Sequence, residues 1–247
     1  MDTNAKETSM IKFTQWKKEI KFWVHIRISL LAITCIGVFV TLGKLIFDAD
    51  AASHQVSKFV FPANVLLTDG KILESQLLID KVVQESRKYD AVIAGRRYRY
   101  SYNSIPVDIE MRYVVGTSGD VEGLIINNTT INLPPGKVFK TVRQQLGIGY
   151  YGLFTYQNKA YLSSCINPQG DSTVTTEQFL HNRHIYNIRF NRFLPWLLGQ
   201  QSFLDRRCLW AHLSIAVNNA DYQSAYKFLE KTWLSCYRWW SPRFPKY

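Results

Sequence analysis

The stretch ISLLAITCIGVFVTLG, residues 28–43, holds no charged side chain, and the apolar run resumes after Lys44 for three more residues. About twenty helical residues at 1.5 Å each match the roughly 30 Å hydrocarbon core of a bilayer. Arg27 and Lys44 have side chains long enough to reach the two interfaces. Since no other segment is as long and apolar, the sequence predicts one transmembrane helix, over residues 24–47.

The charges on either side of this segment predict its direction. Residues 1–47 contain seven Lys or Arg against three Asp or Glu, and all of those cations except Lys44 precede the apolar run, whereas Asp48 and Asp50 follow it. Because cations are retained in the cytoplasm, we expect a basic cytoplasmic tail over residues 1–23 and an extracytoplasmic remainder, at the plasma (inner) membrane.

A cleaved signal peptide is the alternative to an anchor. Ala49-Asp50-Ala51 resembles a small-x-small cleavage site. The long tail and the long apolar run favour an uncleaved anchor. Both alternatives place the chain from about residue 48 onward outside the cytoplasm.

The composition is that of a globular protein, with 47% hydrophobic and 20% charged residues. The net charge of +11 invites a nucleic-acid partner. No zinc-finger spacing or RNA-binding signature accompanies that charge, so we expect membrane lipid or an anionic polymer instead of nucleic acid.

After a juxtamembrane link over residues 48–73, residues 74–247 predict one α+β domain. Alternating apolar residues predict a hairpin over residues 97–102 and 107–115, and another strand pair within residues 150–170. Thr175, with Gln178 three positions later, predicts a capping box for a helix that reaches the neighbourhood of Leu194. The remaining expected elements are a helix or part-strand over residues 74–89, strands over 124–126, 130–133 and 209–217, a short helix over 137–146, and an amphipathic helix from Tyr222 to about Tyr237, capped near Asp221.

The cysteines follow from this topology. Cys35 lies in the predicted span, which leaves Cys165, Cys208 and Cys236 outside, where oxidation is permitted. Three cysteines allow at most one internal bridge. A Cys165–Cys208 pairing is favoured because Cys236 falls in a separate aromatic helix, and three small buried thiols remain the alternative.

A thiol-dependent hydrolase or transferase is the enzymatic alternative. It would use Cys165 or Cys208 as nucleophile, one of three histidines as base and an aspartate to orient that base, and the candidates are His181, His184, His212 and Asp205. Residues of these types occur in most chains of this size, so the sequence favours a protein that is not an enzyme.

A metal site would begin from His181 and His184, which are three positions apart on one predicted helix, with Asp171 or Glu177 as a third ligand. No HExxH, CxxC or carboxylate cluster supports it. We therefore expect a surface pair of histidines, with no metal and no cofactor.

Arginine and aromatic side chains are the candidates for contact with a partner. Guanidinium groups suit carboxylates and phosphates, although solvated surface, structural ion pairs and core packing are the alternatives. The candidates are Arg183, Arg189, Arg192, Asp205, Arg206 and Arg207, together with Trp239 and Trp240 near the C-terminus. An anionic-glycan-binding module of the envelope is a further interpretation of the same charges.

Five sequence motifs accompany the apolar segment: RRYRY over residues 96–100, VDIEMRYVV over 107–115, SSCINPQGDSTVT over 163–175, WLLGQ over 196–200, and DRRCLW over 205–210. Together with that segment they resemble a known family, the cyanoexosortase A system-associated proteins. The resemblance implies a single-pass accessory protein of a cyanobacterial envelope. Its partner would be a multi-span exosortase-like sorting enzyme or the C-terminally tagged proteins that this enzyme handles. The resemblance supplies no catalytic residue.

Overall fold

The structure, a computed structural model, describes residues 23–41, 43, 59–78, 89–187, 205–217 and 221–245. The chain divides into two compact units, Met1–His54 and Gln55–Tyr247. The described part of the second unit is an antiparallel sheet with helices against both faces. The predicted mixed helix and sheet class is confirmed at that level.

Helix α1, Trp23–Thr41, is the described core of the predicted span. Its mean hydropathy is 1.9 and no residue of its apolar window is buried. The Thr34 and Thr41 hydroxyls donate to the carbonyls of Leu30 and Gly37, at 3.0 and 2.9 Å, so both polar groups are satisfied within the helix. By length and composition α1 could cross a membrane, and a signal sequence meets the same criteria.

Seven strands form the sheet, in the order β1-β2-β3-β7-β6-β5-β4, and all neighbours are antiparallel. The strands are β1 Lys71–Leu77, β2 Ala91–Tyr102, β3 Ile105–Val115, β4 Thr141–Gln145, β5 Gly149–Tyr156, β6 Lys159–Ile166 and β7 Arg207–Ala216. The helices of this unit are α2 Val121–Asn128, α3 Thr176–Asn187 and α4 Tyr222–Trp240, and a 3₁₀ turn follows at Ser241–Arg243.

Two tight turns fix the register of both hairpins. The residue pairs Asn103-Ser104 and Gln157-Asn158 all have positive φ, between 46° and 67°. Two successive residues of that conformation make a turn whose twist matches the strands on either side, and asparagine tolerates it. Both hairpins predicted from the alternating patterns are confirmed.

One face of the sheet packs against α4. Alternate residues of β2, Tyr98 and Tyr100, are buried there, and burial raises the pKa of both phenols. Their hydroxyls donate to the carbonyls of Pro62 and Val65 at 2.8 and 2.7 Å. Each tyrosine thus supplies apolar area to the core and anchors the segment before β1. α4 contributes buried side chains at helical spacing: Ala225, Leu229, Trp233, Cys236 and Trp240. The predicted Asp221 cap is confirmed by a bond from the Ser224 amide.

The other face carries a second, smaller core. Val121, Leu124 and Ile125 of α2 and Phe179 of α3 pack there with aromatic residues of β5–β7. α3 begins with the predicted capping box, since Gln178 N donates to Thr175 Oγ1 and the Gln178 side chain accepts from the Thr175 amide. The predicted continuation of this helix to Leu194 lies outside the described residues.

Several predicted elements differ in the structure. Residues 71–77 pair with β2 as a strand, so for the described residues 74–77 the strand alternative is correct and the favoured helix is wrong. Residues 130–133, predicted as a strand, form no strand, although Ile131 is buried. Residues 124–126 belong to α2, since Val121, Leu124 and Ile125 form one buried helical stripe. Residues 141–145 pair with β5 as β4 instead of forming a helix.

The predicted link over residues 48–73 includes part of the domain. Phe61, Val65 and Leu67 belong to its larger core, and the second unit begins at Gln55. The proline and the mixed composition of this segment gave no periodic signal, although Phe61, Val65 and Leu67 are buried.

Candidate functional site

Cys165 and Cys208 form a disulfide between neighbouring strands β6 and β7, with their Cα atoms 5.6 Å apart. Both are fully buried, so neither offers a thiol in this state. Cys236 is a free, buried cysteine of α4, and burial raises the pKa of its thiol. A thiol nucleophile at residue 165 or 208 therefore has no support from this arrangement.

The histidines named for catalysis lie on two different elements. His181 and His184 are exposed on α3, whereas His212 is buried on β7. Asp171 and Glu177 are exposed, and among the described residues no group of three or more His, Cys, Asp or Glu could hold a metal ion.

Asp205 and Arg207 form a buried ion pair. Arg207 Nε and Nη2 donate to the two carboxylate oxygens at 2.8 and 2.7 Å, and Asp205 is 1% exposed. Arg207 Nη1 also donates to the Tyr113 hydroxyl at 3.2 Å and the Pro245 carbonyl at 2.9 Å. The pair ties the C-terminal segment to the sheet, and only Arg206 of this run is exposed.

The other residues predicted to contact a partner also differ in how far they are buried. Trp240 is core, with its ring centroid 5.4 Å from that of Phe61. Trp239 is half-buried and lies under the Arg243 guanidinium, 4.6 Å from it. Arg183 is 8% exposed, so of the alternatives named for it a solvated surface is wrong. Arg189 and Arg192 lie outside the described residues.

A row of polar side chains crosses the sheet on the face opposite α4. Register places Arg97 of β2 beside Glu110 of β3, Glu110 beside His212 of β7, and His212 beside Ser163 of β6. We call these four residues the polar row. Arg97 donates to Glu110 through Nε at 2.8 Å and through Nη2.

Arg112 joins the polar row from one side. Its Nη1 lies 2.8 Å from Glu110 Oε2, and its guanidinium lies 4.9 Å from the Trp210 ring centroid. Burial alone would raise the pKa of Glu110, but Arg112, with His212 and Arg97, holds that pKa below its usual range. Glu110 is therefore ionised at neutral pH.

His212 is held as a neutral imidazole. Burial, which Glu110 opposes and two arginines reinforce, lowers the pKa of His212 to about 4. Its Nδ1 lies 3.3 Å from Ser163 Oγ, which also accepts from Trp210 Nε1 at 2.8 Å. Ser163 is fully buried, so this hydroxyl has no path to a substrate, and the row is a structural network.

The outer end of the polar row opens to solvent as a groove of about 210 Å³ between β1 and β2, lined by Glu74, Gln76, Arg97 and Arg99. Arg99 bonds Asp108 at 2.7 Å and lies 3.8 Å from Glu74. The Arg97 and Arg99 side chains remain 43% and 45% exposed. We call this feature the charged groove; it can accept a polar, charged chain of a partner.

The charged groove was absent from the sequence prediction, although a signal for it exists. A two-residue turn at 103–104 pairs residue 97 with 110 and residue 99 with 108, so opposite charges face each other across the hairpin. The partners Ser163 and His212 carry no such signal, because β6 and β7 are 40 residues apart in the chain.

In comparisons with protein-family models, curated proteins and solved structures, no match to this chain was found.

Proposed function

We propose that this chain is a single-pass membrane protein whose sheet domain lies outside the cytoplasm and acts as a non-enzymatic accessory factor of an exosortase-type sorting system. The observation that carries the proposal is α1, a 19-residue apolar helix without a buried residue in its apolar window. Such a surface is stable in lipid and costly in water.

Two further features support the extracytoplasmic side. Six Lys or Arg precede the apolar run and two Asp follow it, as the retention of cations in the cytoplasm requires. The Cys165–Cys208 disulfide also favours an oxidising compartment, since such bonds persist mainly outside the cytoplasm.

The charged groove supports binding as the role of the domain. It lies on the sheet face that α4 leaves uncovered, and its charges come from fixed strand positions instead of mobile loops. Rigid, alternating charges favour specificity for one polar partner. The choice of an exosortase-like enzyme or its substrate as that partner rests on the resemblance of residues 96–115 and 163–210.

Topology is tested with reporters fused after residue 247. Alkaline phosphatase, which needs disulfides, should be active there, whereas a green fluorescent protein that folds only in the cytoplasm should stay dark. The mass of the purified chain should correspond to all 247 residues. A fluorescent, phosphatase-negative fusion contradicts the topology, and a mass that lacks the first fifty or so residues contradicts the anchor.

The partner is tested by crosslinking in intact cells followed by purification from membranes. We expect an exosortase-like protein or a sorted substrate among the crosslinked species, and we expect Glu74→Lys in the charged groove to reduce its recovery. Glu177→Lys, the same change on exposed α3, is the matched control. Recovery of neither protein, or equal loss in both variants, counts against the proposal.

A further inference from the structure

A narrow cleft lies between α3 and the loop that follows β6. Its walls include Pro168 of that loop and Phe179, Arg183 and Tyr186 of α3, and Asp205 lies at its base. The volume of the cleft is about 10 Å³, on the order of one water position. It can therefore receive the end of one small polar group.

Arg183 is the unusual member of this cleft. It is 8% exposed, and its Nε has no hydrogen-bond partner among the described residues. Its guanidinium lies 5.9 Å from the Phe179 ring centroid, a contact that stabilises a cation but provides no hydrogen-bond acceptor. Buried charges in proteins are normally paired, so an unpaired guanidinium nitrogen in a cavity indicates a missing anion.

The neighbouring acid does not supply that anion. Both carboxylate oxygens of Asp205 accept hydrogen bonds from Arg207, at 2.8 and 2.7 Å. Burial lowers the pKa of Arg183, the positive charge of Arg206 lowers it further, and Asp205 opposes both effects. Three arginines thus surround one aspartate, and the local excess of charge is positive.

The loop opposite Arg183 is rigidly built. The side-chain amides of Asn167 and Asn182 both donate to the Asp171 carbonyl at 2.6 Å. Gly170 has φ of +77°, and a Cβ there would lie 2.6 Å from the Tyr186 ring, so only glycine fits this approach. These contacts hold the loop against α3, so the cleft beside Arg183 is preformed.

We propose that this cleft binds a carboxylate group of a protein partner, held by the guanidinium of Arg183. A planar carboxylate matches the arginine fork, and it is smaller than a phosphorylated group or a sugar ring, which suits a cleft with room for about one water. The carboxylate belongs either to an acidic side chain or to a chain terminus. Its assignment to a protein rests on the proposed function, whereas the affinity for carboxylate does not.

Acetate tests the site itself. In full-length protein in detergent micelles, the ¹H–¹⁵N signal of Arg183 Nε, assigned by its loss in Arg183→Lys, should shift saturably with acetate but not with chloride at equal ionic strength. The thermal midpoint of the wild-type chain should rise with acetate over the same range. No saturable shift, or equal effects of chloride, overturns the proposal even if the proposed partner is correct.

Peptides distinguish the two sources of the carboxylate. A short peptide with a free C-terminus is compared with its C-terminal amide, and an end-blocked peptide containing Asp with one containing Asn. One carboxylate form should bind at least about tenfold more tightly than its neutral match, and Arg183→Lys should lose that preference because lysine lacks the planar fork. Equal binding of all four peptides overturns the assignment to a protein carboxylate.

Discussion

Asp205→Asn should destabilise the domain by about 3 kcal/mol. The substitution keeps the side-chain volume but leaves the buried Arg207 guanidinium without its counter-ion, a change that costs about 3–5 kcal/mol in other proteins. We expect the lower end of that range because Arg207 retains its bonds to the Tyr113 hydroxyl and the Pro245 carbonyl, at 3.2 and 2.9 Å. With a urea m-value of roughly 2–3 kcal/mol/M, the midpoint should fall by about 1 M.

Urea unfolding of the full-length chain in detergent micelles measures this change. Trp210, Trp233 and Trp240 are buried, so their fluorescence moves to longer wavelength when the domain unfolds. Arg206→Ala is the matched control, because this neighbour is exposed and its removal should change stability by less than about 0.5 kcal/mol.

A double variant separates the pair from its single charges. Asp205→Leu combined with Arg207→Met removes both charges of the pair, so it should be more stable than Asp205→Asn alone. If Asp205→Asn shifts the midpoint no more than Arg206→Ala does, the ion pair is not structural and the reasoning is refuted.

Three further outcomes are expected. Replacing Cys165 and Cys208 by alanine should lower the free energy of unfolding by about 4 kcal/mol, which is the loop-closure term for a sequence separation of 43. In urea titrations, reductant should destabilise the wild type but not this variant. The pKa of His212 is about 4 in the folded state and 6.5 in the reference state, so the unfolded chain binds this proton more readily. About 3 kcal/mol of stability should therefore be lost as pH falls from 6.5 toward 4. A His212→Gln variant that keeps the same dependence of stability on pH would contradict the assignment. Trp240→Ala should cost about 3–5 kcal/mol and Trp239→Ala much less, and equal thermal shifts would contradict the assignment of Trp240, and not Trp239, to the core.

The sequence predicted those elements whose signal is local. Alternation and a two-residue turn specify the β2–β3 hairpin, and helical spacing with the Asp221 cap specifies α4. β4 was missed, and β1 was predicted only as an alternative to a helix, because both strands are largely exposed and are stabilised by pairing with β5 and β2. Strands of this kind are stabilised by neighbours that local periodicity does not reveal.

Among the candidate site residues, too, only those with local contacts were predictable. Asp205 and Arg207 are two positions apart, so an ion pair between them was a predictable alternative. Burial of Arg183 was not predictable, because α3 is polar overall and its helical pattern indicated a solvated face. Its position depends on the loop after β6, which packs against α3 through the Asn182 bond to Asp171.

The disulfide links the proposed cleft to the proposed topology. Cys165 lies two residues before Asn167 and Cys208 lies three residues after Asp205, and both Asn167 and Asp205 line the cleft. The bond therefore links, close to the Arg183 cleft, the two chain segments that carry these lining residues. Because a disulfide persists in an oxidising compartment and is reduced in the cytoplasm, the cleft should hold its carboxylate-binding geometry best outside the cytoplasm, on the side that the proposed topology gives the domain.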